Sequence, residues 1–108
     1  MITIICIKPL RIDNAVSKII DDSGAFEGRA VSTMLKAMAM YPEAVFLDCG
    51  SNIGMYSVVM ASAKREVVAV DAMLENLAYV HHSLMLTGNR QYVKLLNNPV
   101  RCFFKDHY

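Results

Sequence analysis

The sequence predicts an α/β domain built on an open parallel sheet, and three observations carry that prediction. Short apolar runs alternate with stretches of helical periodicity from residue 44 onward. The strand-like runs are apolar throughout, Val67-Val68-Ala69-Val70 above all, as parallel strands covered on both faces are. The unusual residues, Asp48 to Gly54, Asp71, Asn97 and Asn98, fall at the carboxyl ends of those runs, where such sheets place a ligand crevice.

The elements follow in order. Ile2 to Ile7 is β-branched and apolar and reads as a strand. Arg11 to Ile20 fits either a strand or a short helix, and Asp21-Asp22-Ser23-Gly24 is a turn cluster. From about Gly28 to Met40, the residues Val31, Met34, Leu35 and Met38 recur at i, i+3, i+4, i+7, which puts one buried stripe on a helix that ends at Tyr41-Pro42. Ala44-Val45-Phe46-Leu47 is a strand, Asp48 to Gly54 a glycine loop, and Ile53 to Ala63 a helix apolar almost all round. After the polar break Lys64-Arg65-Glu66 come a second strand, Val67 to Asp71, and a helix, Leu74 to Leu86, with Leu77, Val80 and Leu84 on one stripe and Gly88 at its C-cap. Tyr92 to Leu96 is a third strand, closed by Asn97-Asn98-Pro99. Right-handed crossovers place the strand at Val67 between the other two. The expected organisation is one incomplete domain over 1–108, with N-terminal strands and a helix in 1–43 and the strand-helix-strand-helix-strand core in 44–100. Val100, Cys102, Phe103, Phe104 and Tyr108 are apolar enough for a further buried strand.

Composition narrows the function classes. A chain of 108 residues suits one domain, and 55% hydrophobic positions are too many for a disordered tail. Eleven Lys and Arg against ten Asp and Glu, without blocks of one sign, offer no footprint for nucleic acid or an anionic membrane surface. The longest low-charge run, Ile53 to Ala63, is about half the ~20 residues of a membrane span. Cys6, Cys49 and Cys102 lie far apart without CxxC spacing; this fits reduced thiols in the cytoplasm and gives no metal site.

The glycine loop is the chemical centre. A dinucleotide site wants G-x-G-x-x-G, but Asn52 and Met55 occupy the second and third glycine places. The loop is D-x-G-x-x-x-G, which suits a ligand with an ammonium group drawn by Asp48 and a carboxylate held by backbone N–H groups at the next helix N-terminus. Asp71 follows Gly50 at close to the ~20-residue interval at which an acid can take ribose hydroxyls.

Phe46-Leu47-Asp48-Cys49-Gly50-Ser51-Asn52-Ile53-Gly54-Met55-Tyr56-Ser57 resembles the first motif of S-adenosylmethionine-dependent methyltransferases of the FkbM type. Val68-Ala69-Val70-Asp71 through Asn76 resembles the segment that in this family carries Glu-Pro-Asn; Asp71 keeps the acid, while Ala72 and Met73 depart from the pattern. Asn98-Pro99-Val100 and Gly24-Ala25-Phe26-Glu27 extend the likeness over roughly Ile4 to Val100. The resemblance implies a Rossmann-like methyltransferase sheet truncated after its third core parallel strand. It also implies methyl transfer from S-adenosyl-L-methionine to an unidentified small-molecule or glycan-like acceptor. Asp48, Gly50, Ser51, Asn52 and Gly54 would surround the methionine part of the cofactor, Asp71 the ribose and Asn98 the adenine edge. No catalytic residue is marked.

Plainer readings stand beside these. Gly50 and Gly54 also fit a tight turn with close helix packing, Cys49 fits loop packing without thiolate activation, and His81 and His82 fit a core-flanking and a surface residue. The alternative to an enzyme is a non-catalytic cofactor-binding or interaction module from a truncated chain, its open sheet edge available for self-association.

Overall fold

Three parallel strands, β1 (Phe46–Cys49), β2 (Val67–Asp71) and β3 (Val93–Asn97), form a sheet in the order β1-β2-β3. The computed structural model describes residues 3–12, 16–23 and 28–99. Among the described residues four helices accompany the sheet: α1 (Val16–Ser23), α2 (Gly28–Ala39), α3 (Met55–Ser62) and α4 (Leu74–Thr87), with one 3-10 turn at Arg90–Tyr92. The chain has a Rossmann-like parallel architecture, and the middle position of β2 is as the crossover argument requires.

Register decides which side chains share a face. Phe46, Val67 and Val93 align across the strands, as do Asp48, Ala69 and Leu95. Val67, Ala69 and Val93 pack with Val58, Met60 and Ala61 of α3 and Val80 and Leu84 of α4 in a core whose centre is fully buried. Met34, Leu35 and Met38 of α2 close it from outside, on the stripe their spacing predicts. The alternate residues face the other way, with Leu47 61% exposed, Lys94 exposed, and Val68, Val70 and Leu96 half-buried. The expectation of cover on both faces is therefore met on one face among the described residues. The reason is topological: strand order advances in one direction, so crossovers of one hand bring α3 and α4 to the same side.

The helix ends explain the short connections. Gly88 adopts φ 72° at the α4 C-cap and donates its N–H to Leu84 O and Met85 O, as a left-handed terminator does. Arg65 closes α2, its guanidinium donating to Met38 O at 2.5 Å, Tyr41 O at 2.7 Å and Ala44 O at 3.2 Å.

The N-terminal region departs from expectation. No strand forms among the described residues of 1–43. Residues 3–9 run irregularly over the helices, held by Thr3 Oγ1 to Ser62 Oγ (3.2 Å), Cys6 N–H to Ser83 Oγ (2.7 Å) and Lys8 N–H to Ser17 Oγ (3.0 Å). A helical surface offers isolated hydroxyl acceptors in place of a backbone ladder, so β-branched residues alone make no strand there. The segment that fitted either structure becomes helix from Val16, and Asp21 and Asp22 lie in its last turn, with Lys18 paired to Asp22 at 3.2 Å. The expectations for Met1, Ile2, the segment Gly24 to Glu27 and the strand from Val100 to Tyr108 lie outside the described residues.

Candidate functional site

The loop between β1 and α3 is shaped by backbone requirements that its sequence meets. Gly50 has φ 72°, and its N–H and that of Ser51 both donate to Val70 O at 2.8 and 3.0 Å, which ties the loop to the end of β2. Asn52 is left-handed at φ 53°, a conformation asparagine tolerates, and its Oδ1 accepts from Ile53 N–H at 2.8 Å. Gly54 has φ 90° as the α3 N-cap, and a Cβ there would stand 2.7 Å from Val80 Cγ2, in the fully buried core. The close-packing role of Gly54 and its place in the glycine loop thus belong to one geometry.

Two carboxylates support the loop from different sides. Asp48, 6% exposed, accepts from Ser57 Oγ at 2.6 Å and from the Ser57 backbone N–H, so it caps the first turn of α3 from beneath. Burial pushes its carboxyl above the ordinary range; the Ser57 bonds oppose the shift and the nearby Asp71 charge adds to it. Asp71, 8% exposed at the end of β2, accepts from Asn52 N–H at 2.8 Å through Oδ2. Its Oδ1 accepts from Met73 N–H at 2.8 Å and Asn76 Nδ2 at 3.1 Å. The end of β3 joins the arrangement through Asn97, whose Nδ2 donates to Asp71 O and Ala72 O at 3.0 Å each.

A pocket of about 160 Å³ opens against this loop, lined by Gly50, Ser51, Asn52, Ile53, Met55, Tyr56 and Val16. Ser51 Oγ is buried beside it with no hydrogen-bond partner among the described residues. The N–H groups of residues 50 to 54 all have acceptors inside the protein, on Val70, Asp71, Asn52 and Ser51.

Of the residues singled out from sequence, Gly50, Ser51 and Asn52 line the pocket, and Gly54 sets the start of α3. Asp48 lies beneath the helix and Asp71 is bonded to the loop, but neither lines the pocket. Asn98 is exposed one residue beyond β3. Cys49 is exposed, His81 is half-buried with its Nδ1 accepting from Arg90 Nε at 3.0 Å, and His82 is exposed. Sequence reasoning missed Ser57, Asn76 and Asn97 as supports of the two acids. Asn76 carried a signal, since five residues past Asp71 is the first turn of α4; Val16 carried none.

No protein-family model and no curated protein sequence matches the chain. Among solved structures, it is similar to a protein assigned as an O-methyltransferase from Klebsiella pneumoniae, with a TM-score of 0.57 and 14% identity. The match covers 80% of this chain and 46% of that one, so the chain spans about half the length of its structural neighbour. At this identity the likeness establishes the fold, a Rossmann-like α/β sheet.

Proposed function

We propose that this chain is the cofactor-binding half of an S-adenosylmethionine-dependent methyltransferase of the FkbM type. The observation that carries the reading is the bond from Asn52 N–H to Asp71 Oδ2 at 2.8 Å. It joins the glycine loop and the acid at the end of β2, which sequence spacing alone paired, into one structural unit at the carboxyl end of the sheet. The residues present fit the cofactor by their chemistry: a carboxylate suited to ribose hydroxyls, and a small apolar pocket beside a glycine with open space at its Cβ position.

The cofactor would supply a methyl group on a sulfonium, for in-line displacement by an acceptor atom. Asp71 would hold the ribose, while Gly50, Ser51 and Asn52 would shape the wall around the methionine part, and the first turn of α3 would present N–H groups to its carboxylate. Gly54 and Asp48 act on the loop from behind, by fixing where α3 begins. Asn98 is placed at the adenine edge in this reading. The contribution of these residues is positioning, which is a large part of what a displacement of this kind requires. The acceptor is a small molecule or glycan-like group on this reading.

The test is Asp71→Ala. Loss of a hydrogen bond to a charged group is worth about 1.5–3 kcal/mol, so affinity for S-adenosylhomocysteine should fall about tenfold or more. Unchanged affinity in a folded variant would overturn the assignment. A second reading is a non-catalytic cofactor-binding or interaction module, for which the sheet face around Leu47, 61% exposed beside the half-buried Val68 and Val70, would offer a surface. Bound cofactor with no methyl transfer to any acceptor tried would support that reading over the first.

A further inference from the structure

The pocket against the glycine loop lies between Val16 of α1 and the first turn of α3, and its lining carries no charge. Among the described residues no Asp, Glu, Lys, Arg or His lines it. Both acids of the region are turned elsewhere, Asp48 to Ser57 and Asp71 to Asn52, Met73 and Asn76. Within this lining Ser51 is 5% exposed, and its Oγ has no hydrogen-bond partner. Burying a hydroxyl without a partner is costly, so an orphan of this kind calls for a reason. The loop itself supplies none. Ser51 is tied in place by its backbone, its N–H donating to Val70 O at 3.0 Å and its O accepting from Gly54 N–H at 2.9 Å.

A hydroxyl donates one hydrogen bond and accepts two, so its missing partner is an oxygen or a nitrogen of either polarity. Charge is treated differently. A carboxylate or an ammonium brought into this lining loses its water and finds no counter-charge, and the Ser57 N–H in the first turn of α3 is already taken by Asp48. From this lining we infer that the pocket is a subsite for a compact uncharged group of a small-molecule ligand, bearing one hydrogen-bonding atom that Ser51 Oγ reads. Short aliphatic amides and alcohols are the ligand classes that fit. The inference goes beyond the cofactor reading: it leaves the charged ends of the cofactor outside this pocket and does not require the cofactor to be bound.

The experiment titrates the whole chain with four probes of similar size, isobutyramide, isobutanol, isobutyrate and isobutylammonium, followed by NMR at the backbone amides of Val16, Ser51, Ile53 and Met55. The amide and the alcohol should give saturable shifts at these positions, and the two ions should bind at least about tenfold more weakly. Ser51→Ala should weaken the two neutral probes by about twofold to tenfold, the scale of one neutral hydrogen bond. With no probe present, Ser51→Ala should unfold in urea at the native midpoint or above it, because the substitution removes an unpaired hydroxyl. A lower midpoint would assign the hydroxyl to the fold and overturn the inference. So would ions that bind as well as the neutral probes, neutral binding unchanged in Ser51→Ala, or no shift at the four positions. None of these results bears on the cofactor reading, which titration with S-adenosylhomocysteine tests separately.

Discussion

Asp48 and Gly54 show how tightly single residues determine this site. Asp48 has a folded-state carboxyl raised above its ordinary value, chiefly by burial. Below the unfolded value both states are protonated and the full stability is present; as pH rises through the raised folded value, a buried carboxylate must ionise and stability is lost. Asn cannot ionise and still offers Ser57 an acceptor. The stability of Asp48→Asn relative to the native chain should therefore climb as pH rises from about 4, the ordinary carboxyl value, and level off above the raised folded value. Denaturant unfolding across that range measures it, and a difference constant with pH would contradict the assignment. Gly54→Ala meets two separate penalties: about 1–2 kcal/mol for a side chain at left-handed φ, and about 1–3 kcal/mol for the 2.7 Å approach to Val80 Cγ2. Adding Val80→Ala should relieve the second penalty and leave the first; full rescue, or none, would show that one of the two is misassigned.

At the scale of elements, Arg65 is the residue on which the seating of α2 depends most. Its guanidinium donates to three carbonyls that end the helix and lead into β1. Arg65→Ala leaves those carbonyls to water or unpaired, and should destabilise the chain by about 1.5–3 kcal/mol, read by urea titration. A loss within about 0.5 kcal/mol would mean that the three bonds add nothing net. Elements with strong periodicity were legible: α2 from its stripe, α4 from its stripe and Gly88, and β2 from its unbroken apolar run. Boundaries shifted where backbone chemistry outweighed hydropathy. The strand at Ala44-Val45 begins at Phe46, and the helix read from Ile53 begins at Met55, because Asn52 and Gly54 are left-handed and cannot be helical. The strand read near the N-terminus failed for a different reason. Strands need a partner ladder, and among the described residues 3–9 meet helix surfaces, with hydrogen bonds to the hydroxyls of Ser62, Ser83 and Ser17.

For the whole molecule, topology was legible and enclosure was not. Strand order followed from crossover handedness, yet the same handedness leaves Leu47, Val68, Val70 and Leu96 on a face that α3 and α4 do not reach, which apolar composition alone could not reveal. Of the candidate site, what was legible is that the loop and the acid at the end of β2 meet at one end of the sheet, where the Asn52 N–H donates to Asp71 Oδ2. The site was illegible in its supports: Ser57, Asn76 and Asn97 act through contacts that only the fold creates. The central claim, that loop and acid together form a cofactor site, is tested most directly by calorimetric titration of the chain with S-adenosylhomocysteine, with NAD as control and circular dichroism to verify folding. Binding of S-adenosylhomocysteine alone is the predicted result, and a folded chain that binds neither ligand, or binds NAD instead, would contradict it.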